Sequence, residues 1–329
     1  MEHVLRTWQG DDGKEIREIK RDGEKVFRLS YPPKAEISAY YLENNLQALQ
    51  TLAEHELPGP RLIAQDTEQG WIDTTYCGEP LEDLIVAAAT DPERLHVLEL
   101  VRDAARLLFT YAAAGEELRP VEPPVPLKNA ERMFDETIHQ HASAQAEDVV
   151  RVWEHLMSEI HDLKETGPVT QGFANLDPHL LNFVVDKSDR LTMIDFDNSR
   201  LHYDPYYSAS FLYFAADPMG RADATPLQRA VLAGVDWAGD RAVKRFAIGL
   251  ASVRFGSLML ELNRLDLTDE QKAQICTFDL KNIFRTLEEG WVAFGQRCEE
   301  ELHRPELSDI CTQIGYVPFS DLRASELER

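Results

Sequence analysis

The sequence predicts an α+β protein in two unequal lobes: a small antiparallel sheet with one helix over residues 1–80, and a larger, mainly helical lobe over residues 81–329. Three observations carry this. Two short apolar-containing runs flank Arg21-Asp22-Gly23-Glu24, and Asp-Gly between such runs marks a tight hairpin. From residue 81 onward the texture turns helical. Within that helical part lies a strand-rich island, residues 169–200.

Taken in order, Glu15–Lys20 and Lys25–Leu29 form the hairpin. Residues 35–56 read as a helix, because Leu42, Leu46, Leu49 and Ala53 recur at helical spacing and Leu57-Pro58-Gly59-Pro60 then stops it. Short strands follow near residues 61–64 and 70–75, ahead of Cys77-Gly78-Glu79-Pro80. Asp91-Pro92 caps a helix that runs to about Ala114. The proline-rich stretch from Arg119 to Pro126 is stiff and extended, and helices near 128–142 and 146–165 follow. The island holds strands at Val169-Thr170, Phe183–Val185 and Leu191–Ile194. Beyond residue 205 the chain is helical again, with capping boxes at Thr225–Gln228 and Thr268–Gln271.

Composition narrows the function. The 329 residues are 43% hydrophobic and 28% charged, enough for a buried core rather than disorder. A net charge of −24, spread evenly, argues against a nucleic-acid partner or docking on an anionic membrane. No apolar run approaches the ~20 residues that span a bilayer, so no integral membrane segment is expected. The N-terminus lacks the apolar core of a signal peptide. Cys77, Cys276, Cys298 and Cys311 show no close metal-type pairing, and reduced thiols in a cytoplasmic protein are expected.

The chemistry concentrates between residues 175 and 197. Asn182 precedes one apolar strand of the island and Asp195 follows the next, with residues 186–190 as the turn. In an antiparallel hairpin the start of one strand lies beside the end of the other, so Asn182 and Asp195 share its open end. Asp177 stands five residues before Asn182 and loops back to that end. Two carboxylates and an amide are all oxygen donors and suit Mg²⁺, which takes few protein ligands beside phosphate oxygens. One carboxylate stays available to accept a hydroxyl proton, which completes the equipment of phosphoryl transfer.

Asp177-Pro178-His179-Leu180-Leu181-Asn182 followed by Ile194-Asp195-Phe196-Asp197 resembles the catalytic loop H-G-D-L-H-P-x-N and the I-D-F motif of the protein-kinase-like phosphotransferases. The resemblance is closest to the branch of aminoglycoside phosphotransferases, choline kinase and bacterial lipopolysaccharide-sugar kinases. Leu57–Leu62, Gly78–Leu81 and Asp204-Pro205-Tyr206-Tyr207 fall in order where that branch has L-P-x-P-R-L, G-E-P-L and D-P-x-Y. The resemblance implies a two-lobed protein-kinase-like fold. It also implies ATP- and Mg²⁺-dependent transfer of a γ-phosphoryl group to a hydroxyl of a small molecule or sugar. Asp177 would be the catalytic base, and Asn182 and Asp195 would hold Mg²⁺. Arg28 would take the place of the third-strand cation that orients the nucleotide phosphates. Its helix partner would be Glu43, or failing that Glu36.

The chain also departs from the pattern. The third-strand lysine is Arg28, a non-equivalent exchange, with Lys34 nearby. Asn175-Leu176 replaces the histidine-glycine before the aspartate, and Ser208 stands where a buried aspartate is expected. Gln9–Gly13, at the phosphate-covering loop, lacks dense glycine and carries two acids. A rival register would set Gln171-Gly172-Phe173 on H-G-D and put Phe173 at the base position. These departures feed the alternative of a pseudokinase that binds a nucleotide or a partner without turnover.

Overall fold

Asp22 and Gly23 both take positive φ, 51° and 97°, in the two-residue turn that pairs Arg21 with Glu24. This turn type matches the right-handed twist of the strands it joins. In the computed structural model it links β2 (Glu15–Arg21) to β3 (Glu24–Ser30). β1 (Glu2–Gln9), β4 (Leu62–Asp66) and β5 (Trp71–Thr75) complete an antiparallel sheet of order β1-β2-β3-β5-β4. The structure describes residues 2–9, 14–32, 36–128, 130–131, 146–217, 225–237, 241–264 and 267–287. Residues 10–13, Lys34, the side chain of Glu36 and most of the expected 128–142 helix lie outside these.

α1 (Glu36–Glu54) packs on one face of the sheet. Leu42 and Leu49 meet Leu29 and Ile72 there, while Ala48 and Leu52 reach into the core of the large lobe. Hydrophobic packing therefore runs across residue 80, where the sequence divides the lobes.

β6 (Glu79–Pro80) crosses into the large lobe as a strand against β9 (Phe183–Val185), which also pairs with β10 (Leu191–Met193). α2 (Leu81–Ala87) and α3 (Asp91–Ala112) follow β6. Thr90, not Asp91, is the N-cap of α3; the Glu93 carboxylate accepts the Thr90 and Ala89 backbone N–H groups at 2.9 and 3.0 Å. β8 (Val169–Asn175) lies between β7 (Glu117–Arg119) and β11 (Ser199–Tyr203), two short strands with no alternating signal in the sequence. A Cβ on Gly172 would stand 1.7 Å from the Ala112 carbonyl, so only glycine lets β8 lie this close to the end of α3.

Further helices are α4 (Ala146–Glu165), α5 (Pro205–Ala216), α6 (Pro226–Gly234), α7 (Ala242–Leu262) and α8 (Asp269–Leu287). Both expected capping boxes form: Thr225 with Gln228 at the start of α6, and Thr268 with Gln271 at the start of α8. Asp204 caps α5 and is held by Arg245 of α7 at 2.8 Å, a fully buried ion pair that also ties down the Thr170 carbonyl of β8. Among the described residues no helix is long and apolar enough to cross a membrane.

Candidate active site at the open end of the hairpin

The β9–β10 ladder pairs Phe183 with Met193, and the next step is the Ile194 N–H donating to the Asn182 carbonyl at 2.7 Å. Asn182 and Asp195 therefore sit together at the open end. The Asn182 Nδ2 donates to the Asp177 carbonyl at 2.9 Å, drawing the loop back to the same place. Asp177, Asn182 and Asp195 are thus brought together.

Asn175, fully buried at the end of β8, locks this frame. Its Nδ2 donates to the Asp195 carbonyl at 2.7 Å, and its Oδ1 accepts the Asp177 N–H at 2.9 Å. The Ser208 hydroxyl donates to the Asn175 carbonyl at 2.8 Å. The two departures in the sequence, Asn175 and Ser208, are therefore partners. Phe173, the base in the rival register, is buried in the core against Tyr111 and Phe196. Asp195 takes a left-handed backbone, φ 60°, which an aspartate tolerates better than most residues.

A cation already stands at this carboxylate. The Lys14 ammonium, ahead of β2, lies 2.9 and 2.8 Å from the two Asp195 oxygens and 2.5 Å from Asp197. The other Asp197 oxygen accepts the Tyr31 hydroxyl at 2.6 Å and the Asn45 amide. Asn45 also accepts the Phe196 N–H at 3.2 Å, and Asn44 donates to the Asp197 carbonyl at 2.7 Å. The small lobe thus grips residues 195–197 through Lys14, Tyr31 and α1.

Burial opposes the charge on Lys14, but the charges of Asp195 and Asp197 outweigh it and its pKa is raised. Burial, aided by the Asp195 charge, pushes Asp197 up to about 7 against the pull of Lys14. Asp177 is raised too, by burial first and by Asp195, while His179 opposes the shift from 3.8 Å. A raised carboxyl pKa favours proton acceptance near neutral pH.

Arg28 and Glu43 are not brought together. Arg28 donates to the fully buried Asp73 at 2.7 and 2.9 Å and lies 4.3 Å over the Trp71 ring. Its neighbour Leu29 faces α1, so strand alternation sends Arg28 to the opposite face of the sheet. Glu43 is exposed, because the inward stripe of α1 runs through Leu42, Asn45, Leu49 and Leu52. The repeat read from the sequence, Leu42, Leu46, Leu49 and Ala53, is turned by one position: Asn45 and Leu52 are buried, Leu46 is half-buried and Ala53 exposed. Lys14 and Tyr31 left no local signal.

The donor set fits a divalent cation. Asp195 offers two oxygens, and Asn182, its nitrogen committed to Asp177, presents its carbonyl oxygen. The ammonium on both Asp195 oxygens shows that positive charge is accommodated there. Among the described residues no three His, Cys, Asp or Glu side chains form a metal cage; two ligands plus phosphate oxygens and water is the Mg²⁺ pattern.

The fold recurs in solved structures of low sequence identity. The choline kinase LicA from Streptococcus pneumoniae superposes with a TM-score of 0.57 at 15% identity, over 85% of this chain and 93% of that one. A microcompartment-associated aminopropanol kinase gives 0.57 at 12% identity, over 88% and 94%. A mutant aminoglycoside phosphotransferase APH(4)-Ia, in ternary complex with ADP and hygromycin B, gives 0.55 at 14% identity, over 87% and 95%. These likenesses show the two-lobed kinase-like fold. No curated protein sequence matches. Residues 16–242, more than half of its length and all of the site but Lys14, match the phosphotransferase enzyme family (APH), and the chain belongs to that family.

Proposed function

We propose that this phosphotransferase moves the γ-phosphoryl group of ATP to a hydroxyl of a small molecule, with Mg²⁺ held at Asn182 and Asp195. One observation carries the reading: Asp177, Asn182 and Asp195 are tied into one frame, Asn175 holding the Asp177 N–H and the Asp195 carbonyl while Asn182 holds the Asp177 carbonyl. When bound, Mg²⁺ would neutralise phosphate charge and orient the triphosphate. Asp177 accepts the hydroxyl proton as the acceptor oxygen bonds to the γ-phosphorus and the bond to the β-phosphate breaks, releasing ADP. The intact set of three favours turnover over a binding-only pseudokinase.

Similar structures include choline, ethanolamine and aminopropanol kinases and a complex with hygromycin B. Those names, with the −24 charge of this chain, support amine-bearing alcohols and amino sugars as the first acceptors to test. The first experiment is a thermal shift with ATP, with and without Mg²⁺, on the wild type and Asp195→Ala. A ligand at ~100 times its dissociation constant adds about 2.7 kcal/mol. The expected result is Mg²⁺-dependent stabilisation of the wild type that Asp195→Ala loses. No response from the wild type would overturn the reading.

A further inference from the structure

Both oxygens of the carboxylate assigned above to Mg²⁺ are occupied by Lys14, a residue 181 positions away in the chain. The ammonium is anchored a second time, on Asp197, which Tyr31 and Asn45 hold in place from the other side. The side chain is only 8% exposed, so this is a built contact and not a surface ion pair. In β3, where the family resemblance expects the phosphate-orienting cation, Lys25 is paired with Glu18 at 2.6 Å and Arg28 with Asp73 at 2.7 Å. Arg28, moreover, points away from the α1 face.

A divalent cation at Asp195 would compete with Lys14, which already contacts both of its oxygens. A divalent ion arriving with a nucleotide repels the ammonium at close range, and it brings phosphate anions to which the ammonium is drawn. A lysine suits such a move, because its charge is a point on a flexible four-carbon stem. We propose that Lys14 is a cation with two stations. Without nucleotide it neutralises Asp195 and Asp197; when the metal–nucleotide enters, it yields Asp195 and turns to the phosphate oxygens, with Asp197 as its pivot. Lys14 then supplies, from just ahead of the second strand, the phosphate-positioning charge that the third strand directs elsewhere. This rests on the reading of Asp195 as a metal ligand.

The two stations make opposite predictions for one substitution. The test measures binding of Mn²⁺ alone and of ADP with Mg²⁺ to the full chain, for wild type and Lys14→Met. Losing the competitor should tighten Mn²⁺ about tenfold, and losing the phosphate contact should weaken Mg²⁺–ADP about tenfold or more. A residue that only packs the interface would leave both affinities unchanged or lower both, and either result overturns the proposal. Lys14→Gln repeats the test with a polar side chain in case the methionine variant does not fold. If the wild type binds Mg²⁺–ADP and both variants bind it equally well, the two-station role fails and the phosphotransferase reading stands. If the wild type binds no Mg²⁺–ADP, that reading fails first and this one falls with it.

Discussion

Asp177→Asn keeps the shape of the loop, since its backbone N–H and carbonyl make the bonds to Asn175 and Asn182. It removes only the group that accepts a proton. A positioned general base contributes roughly 10²–10⁴-fold, so kcat should fall by that factor while Mg²⁺–ADP affinity stays near wild type. Steady-state kinetics beside calorimetry checks this, and a parallel loss of affinity would recast Asp177 as a ligand. The legibility of these residues follows from chain separation. Asp177, Asn182 and Asp195 fall within one stretch of loop and hairpin, where spacing translates directly into proximity. Lys14 meets Asp195 and Asp197 across more than 180 residues, and Tyr31 meets Asp197 across 166, contacts that only the folded chain creates. Glu43 is a matter of helix phase: a one-position turn relative to the repeat Leu42, Leu46, Leu49 and Ala53 brings Asn45 inward and leaves Glu43 exposed.

Elements with a local stop or start signal were readable to within a residue or two. The Asp22-Gly23 turn, the helix Ala146–Glu165 and both threonine capping boxes are examples. β6, β7 and β11 were not, since two to five residues carry too little periodicity and their strand character comes from the neighbour they pair with. The start of α3 gives a test at this scale. The Thr90 N–H, then the Thr90 hydroxyl and Ala89 N–H, hold the Glu93 carboxyl below its ordinary pKa. A folded pKa below the unfolded one gives stability that is present above the unfolded value and lost as pH falls through the folded one. Glu93→Ala should therefore lower Tm at neutral pH, and the gap to wild type should close below about pH 4. Melting curves from pH 7 to 3 read this directly; a gap independent of pH would mean that the cap acts through packing instead of charge.

For the molecule as a whole, the charge of −24 sets a self-repulsion that no single pair relieves. Raising NaCl from ~0.01 to ~0.15 M shortens the screening length from about 30 to about 8 Å and should raise Tm. A fall in Tm under calorimetry would show that local ion pairs outweigh the repulsion. The texture of the sequence changes at residue 80, yet Ala48, Leu52 and Leu57 join the same apolar cluster as Leu81 and Leu98. That continuity was invisible in the sequence because it depends on which face of α1 turns toward the large lobe. The connection between the lobes has a mechanical consequence. Glu79 and Pro80 are already laced to Val185 and Val184, and a Cβ on Gly78 would stand 2.1 Å from the Val185 carbonyl. The chain is clamped from Gly78 onward, so this link leaves a rocking motion of the small sheet only the residues upstream of Gly78 to bend. The covalent link is a fixed pivot rather than a slack tether.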